Sequence, residues 1–144
     1  MKPLPTILVD TREQLPFAFY GHKQKRCTLK VGDYSLQGMQ LLVVIERKNL
    51  ADLYGTLTRK HNFVRFLKEL DKLKKVKYAF LVLEASPEDI ARGFSYSMAN
   101  GPLVLSKLMR LYCSHGVQIV FGGTRDGAEM VTVSILRAVC ELQG

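Results

Sequence analysis

The stretch Ala79–Leu83 in YAFLVLEA (78–85) contains no polar side chain. A run that short and that uniformly apolar reads as a strand covered on both faces rather than as one side of a helix. Such a strand needs neighbours in a sheet and helices packed over it. A second run, LLVVI (41–45), carries the same signal but passes directly into Glu46, Arg47 and Lys48.

The rest of the chain supplies the neighbours. TILVD (6–10) is a short strand ending in an acid. LPFAFYGHKQKR (15–26) reads as a turn or loop with room for a short helix, and CTLKVGDYSL (27–36) as one or two short strands broken at Gly32. Gly38 marks a hairpin turn into MQLLVVIERK, so the first half is expected to be mostly antiparallel.

After Lys48 the period changes. Asn49 is a helix cap with Asp52 at the third helical position, the pattern of a capping box. Phe63, Phe66, Leu67, Leu70 and Leu73 recur at helical spacing, with Arg65, Lys68, Lys72 and Lys75 on the other faces. Ser86-Pro87-Glu88-Asp89 starts a further helix. A loop GFSYSMANGP leads to a helix ended by Gly116, then a strand VQIVFGG and a last helix over 124–143. The order predicts an α/β domain: a central mixed sheet flanked by α-helices, one domain over 1–144.

Val131, Ile135 and Val139 lie on one face of the last helix, and Met130, Val133, Leu136 and Cys140 on another. That pattern suits either a deeply buried terminal helix or one that packs on the sheet and on a second copy of the chain.

Charge narrows the partner. Lys+Arg 21 against Asp+Glu 13 gives a net charge of +8, which favours a polyanion such as nucleic acid. Three widely spaced cysteines, Cys27, Cys113 and Cys140, offer neither a disulfide framework nor zinc-ligand spacing and suit a reducing compartment. The N-terminus has no signal-peptide pattern, and no apolar run is long enough to cross a bilayer. The expectation is a soluble intracellular protein of the cytoplasm, nucleoid or nucleus, with no membrane partner.

In a strand, Glu46 and Lys48 point to the same face. A hairpin turned at Gly38 brings Asp33 back beside Glu46, and Asp10 ends the neighbouring strand. Three carboxylates and one ammonium at one sheet rim suit metal-assisted phosphodiester hydrolysis, because hard oxygen ligands hold Mg²⁺ together with water and substrate phosphate. Each residue alone has a plainer role: Asp33 in a turn, Glu46 and Lys48 at a solvated strand end, Asp52 in a helix cap.

The motifs VDTRE (9–13), GDY (32–34) and IERKNLADLYGTL (45–57) resemble the nuclease domain of the XPF/Hef family of structure-specific DNA endonucleases. The family hallmark, Gly-Asp, a variable stretch, then Glu-Arg-Lys, three residues and Asp, stands complete as Gly32-Asp33, Glu46-Arg47-Lys48 and Asp52. The resemblance implies a restriction-endonuclease-like fold, with Asp33, Glu46 and Asp10 as ligands of Mg²⁺ or Mn²⁺ and Lys48 as the catalytic lysine. It groups Arg47 with the catalytic motif, in a structural or acid-pairing role, and gives Glu13 and Asp52 supporting roles. It also implies a homodimer through the C-terminal helices, and branched or single/double-strand junction DNA as substrate, as met in DNA repair and recombination.

The chain departs from the better-known members after DLYGTL, where Lys60-His61 and Arg65 replace a Gly-Arg pair and a Gln. It contains no helix-hairpin-helix or helicase motif, so a separate helix-hairpin-helix partner is one expected source of substrate selection. Arg12, Lys23, Lys25, Arg26, Arg59, Lys60 and Arg65 are candidate DNA contacts. The aromatic loop Phe94–Tyr96 either touches bases or is an ordinary surface loop. The isolated His22, His61 and His115 form no catalytic spacing. A non-catalytic DNA-binding or dimerisation module is the rival reading.

Overall fold

In a computed structural model, which describes residues 2–144, one six-stranded sheet organises the chain. The strands are β1 (Ile7–Asp10), β2 (Gln24–Cys27), β3 (Tyr34–Leu36), β4 (Val43–Asn49), β5 (Tyr78–Glu84) and β6 (Gln118–Phe121). The helices are α1 (Leu50–Thr58), α2 (Lys60–Leu73), α3 (Pro87–Arg92), α4 (Gly101–His115) and α5 (Arg125–Gln143). Strand order is β2-β1-β3-β4-β5-β6, with β3 antiparallel to β1 and β4 and the remaining pairs parallel. The domain is therefore α/β with a mixed sheet, as the apolar runs predict.

Residue parity divides the sheet into two faces. Val44, Leu81, Leu83 and Ile119 meet α1, α2 and α4 on one side, where Leu53, Leu57, Phe66, Leu70, Leu73 and Leu108 complete the core. Ile7, Val9, Tyr34, Leu36, Val43, Ile45 and Val82 meet α5 on the other. β5 is apolar throughout because it contributes to both cores.

The helix signals mark their starts correctly. Asn49 Oδ1 accepts from the Asp52 N–H at 2.8 Å, and Ser86 and Asp89 form a reciprocal capping box. Asn49 and Asp52 make only half of the expected box, since among the described residues the Asn49 N–H does not donate to the Asp52 carboxylate.

The first half is mostly antiparallel, since β3 pairs that way with both β1 and β4, but β1 and β2 run parallel. Parallel neighbours need a crossover, and residues 11–23 supply it without a helix: Phe17 stacks on Tyr34 at 5.3 Å and Phe19 meets the same ring edge-on at 5.0 Å. On α5 the fully buried line is Ala128, Thr132, Leu136 and Val139, which crosses the two faces expected from the sequence. Small residues let this helix lie close: a side chain at Gly122 would collide with Ala128, and the Thr132 hydroxyl is satisfied by donating to Ala128 O at 2.8 Å. Val131, Val133, Ile135 and Cys140 remain half-buried, and Met130 and Leu142 are exposed.

Candidate active site

The β3–β4 pairing builds the site. Tyr34 pairs with Ile45, and the Asp33 N–H donates to Ile45 O at 2.8 Å, which sets Asp33 beside Glu46. Asp33 Oδ2 then accepts from the Arg47 N–H at 2.8 Å. On the other flank the Asp10 N–H donates to Asp33 O at 2.8 Å, so β1 and β4 clamp the turn between them. Gly32 permits this approach. Its φ is +81°, and a Cβ there would run into Val44 Cγ1 and crowd Ile45 O at 3.2 Å.

Asp33 and Glu46 share a cleft of about 240 Å³ with Asp10, Arg12, Lys30, Glu69 and Lys72. Burial and the negative charge of Glu13 push the Asp33 carboxyl up to about 7. Burial and the neighbouring Asp33 hold Glu46 well above the usual carboxylate range. Among the described residues no hydrogen bond or ion pair engages the Glu46 carboxylate. Lys48, on the same face of β4, offsets part of the charge on both acids and rests its ammonium 5.0 Å from the centre of the Phe66 ring.

The third carboxylate is held differently from the expectation. Asp10 Oδ2 accepts from Arg12 Nε at 2.7 Å and from the Arg12 N–H at 3.1 Å. Its Oδ1 accepts from Arg12 Nη2 at 3.1 Å and from the Leu29 N–H at 2.8 Å. These bonds outweigh the opposing effect of burial and keep Asp10 below its ordinary range. Among the described residues, no three His, Cys, Asp or Glu side chains converge as a metal cage. Arg12 folds back two residues and donates to both oxygens of Asp10. An open two-carboxylate set still fits Mg²⁺ or Mn²⁺, ions that keep several waters and bind through one or two carboxylates plus substrate phosphate.

Arg47 points to the opposite face. Its guanidinium donates to Glu84 Oε2 at 2.6 Å and to Glu13 Oε2 at 3.0 Å, with only 9% of the side chain exposed. It lies 5.3 Å from the Phe17 ring centre, and Arg125 lies 5.2 Å from the same centre. Glu13 also accepts from the Tyr34 hydroxyl at 2.7 Å. Arg47 and Glu13 thus belong to a buried ion-pair network beneath the cleft, and Arg47 is not among the groups that face Asp33 and Glu46.

The basic candidates separate. Arg12 lines the cleft. Arg59 and Arg65 line an adjoining groove with Lys48 and Asp52, whereas Lys60 is exposed outside it. Lys23, Lys25 and Arg26 lie on or beside the edge strand β2, away from the cleft, and Arg26 donates to Thr11 O and Glu13 O. Lys30, Lys72, Glu69 and Glu84 are additions from the structure. Helical spacing placed Lys72 on a face of α2, but which face crosses β4 is decided by packing, so Glu69 carried no separate signal.

The sequence profile of the ERCC4 domain matches residues 9–133, which is most of the chain. Among solved structures, XPF from Aeropyrum pernix matches with a TM-score of 0.72 and 19% sequence identity, over 93% of this chain and 64% of that one. The chain therefore spans less than two thirds of that structure, and at this identity the likeness concerns the fold. No curated protein sequence matches significantly.

Proposed function

Because the chain belongs to the ERCC4 domain family, the family of XPF-type nuclease domains, we propose that it is a divalent-metal-dependent DNA endonuclease. It hydrolyses phosphodiester bonds at branched or single/double-strand junctions and acts as one nuclease domain over residues 1–144. The observation that carries this reading is the Asp33–Glu46 pair, two acids held beside each other in a cleft with Lys48 on the same strand face.

In this reading Asp33 and Glu46 would hold Mg²⁺ or Mn²⁺, which when bound would lower the pKa of a coordinated water and offset charge developing on the phosphoryl oxygens. Lys48 orients the attacking water and sets a fixed positive charge beside the reacting phosphate, where it is worth more in the transition state than in the ground state. Asp10 is a positioning residue here, since its carboxylate is engaged in presenting the Arg12 guanidinium at the cleft rim. Arg47 positions β4 through Glu13 and Glu84. Asp52 supports the start of α1.

A homodimer through α5 accompanies this reading. Val133, Ile135, Tyr78, Phe80 and Val120 stay half-buried against one core, and Met130 and Leu142 are exposed on the same helix. A separate helix-hairpin-helix protein is the other partner consistent with the basic surface. No helix among the described residues is long and apolar enough to cross a membrane.

The test is cleavage of flap, fork and splayed-arm DNA with Mg²⁺ or Mn²⁺, alongside Asp33→Ala and Lys48→Ala. Metal-dependent cutting by the parent chain and its loss in both variants is the expected result. Equal cutting by the variants overturns the site.

A further inference from the structure

A groove of about 590 Å³ opens from the cleft on the Lys48 side, and Glu69 lines both. Its volume lies in the range of about 300–1,000 Å³ typical of sites for small organic groups. Two arginines, Arg59 and Arg65, stand over it, and Arg65 Nη2 donates to Asn62 Oδ1 at 3.1 Å. Asn62 in turn donates to Gly55 O at 3.2 Å, which ties α2 to α1 across the groove.

The opposite wall is aromatic. Phe94 packs 5.8 Å from Tyr54, whose hydroxyl donates to Ile90 O, and Tyr96 meets Phe94 edge-to-face at 5.5 Å. Phe94 is thus anchored to the core, while Tyr96 is 89% exposed. An exposed ring braced by a half-buried one is a stacking platform that loses little freedom on binding.

Gly55 lies on the same groove, inside α1. A glycine within a helix costs about 1 kcal/mol relative to alanine. A Cβ at Gly55 would meet nothing within 4 Å, so no neighbour in the fold requires the glycine. Its effect is to leave the groove lined by backbone at that point.

The other side of the cleft differs. There Lys30 and Lys72 continue toward Lys75, among Leu41, Val44 and Val76, and among the described residues no aromatic ring lines that surface. It offers charge for a phosphate backbone but no ring for a base.

We infer that the Lys48-side groove is a subsite for one unpaired nucleotide of the cleaved strand. The base stacks on Tyr96 and the phosphate lies between Arg59 and Arg65, so the single-stranded arm leaves on this side. The subsite rests on the nuclease reading for its place in a reaction but not for its binding chemistry. Base–aromatic stacking tolerates any sequence and is worth about 1–3 kcal/mol per base.

The experiment is fluorescence anisotropy of the full chain, without metal, on splayed-arm DNA and on blunt duplex of matching sequence. A second splayed arm carries an abasic nucleotide next to the junction. Tyr96→Ala should weaken splayed-arm binding by roughly 5- to 150-fold, the fold-change equivalent of one lost stack. It should leave duplex binding unchanged, and Tyr96→Phe should bind like the parent. The abasic nucleotide should cost the parent a similar factor and cost Tyr96→Ala nothing further. Unchanged splayed-arm affinity in Tyr96→Ala, an equal loss on duplex, or an undiminished abasic penalty in that variant overturns the subsite. Because these arms read binding, a parent chain that binds in this pattern yet never cleaves with metal overturns the nuclease reading and leaves the subsite standing.

Discussion

The Arg47 N–H donates to Asp33 Oδ2 at 2.8 Å, so the strand that carries Glu46 also fastens the acid beside it. Neither carboxylate depends on a flexible loop for its place. Asp33 is fixed by backbone bonds to β1 and β4, and Glu46 by the pleat of β4 itself.

Metal binding should therefore require both acids and little else. Titration calorimetry with Mn²⁺ is expected to show saturable binding to the parent chain and its loss in Asp33→Asn and in Glu46→Gln. Asp10→Asn should retain most of the affinity, because Asp10 already spends its oxygens on Arg12 and Leu29.

Lys48→Ala should act on chemistry. Single-turnover cleavage is expected to slow by about 10²–10⁴-fold, the range of a lost proton-handling or charge-stabilising group. DNA affinity measured by anisotropy should change by less than about tenfold. A parallel loss of affinity would make Lys48 a binding residue instead.

Arg47→Ala should cost stability. The guanidinium is buried against Glu13 and Glu84, and removing one partner of a buried ion pair costs about 3–5 kcal/mol. Thermal denaturation followed by circular dichroism should show a clear fall in Tm with metal present or absent. Arg47→Lys should recover only part of it, since an ammonium cannot span both acids in the planar geometry of the native fork.

The metal-free chain should lose stability as pH rises. The folded-state pKa of Asp33 is raised to about 7 by burial and Glu13, against an ordinary value of about 4 in the unfolded chain. Between those values the folded state binds more protons, so stability falls with increasing pH across the window from about 4 to about 7. Glu46 is shifted the same way by burial and Asp33. Denaturant unfolding at several pH values should show this slope, Asp33→Asn should flatten it, and saturating Mn²⁺ should oppose it at the high end.

Gly32→Ala should disturb the site although it removes no polar side chain. The positive φ and the collision with Val44 force the Asp33 turn to shift. Reduced Tm together with weakened Mn²⁺ affinity is the expected pair of readings.

Much of this was legible in the chain because the signals were local. Parity put Glu46 and Lys48 on one face, and the apolar runs of 41–45 and 78–83 called for a covered sheet. Asn49, Ser86 and Gly116 marked helix ends through bonds spanning a few residues. What was not legible depends on distant packing. The β1–β2 crossover is held by Phe17 and Phe19 against Tyr34, and the buried line of α5 is set by its close approach to Gly122. The capture of Asp10 by Arg12 was close in sequence but hidden by the choice of one side-chain rotamer.

The two faces of β4 restrict where insertions and deletions can survive. One residue added within Glu46–Lys48 would set those two side chains three apart and so on opposite faces of the sheet, splitting the acid from the lysine. Residues 37–42, between β3 and β4, lie outside both strands and can change length without altering that parity. Length drift in descendants of this chain should therefore collect in that turn, while the spacing from Glu46 to Lys48 stays at two.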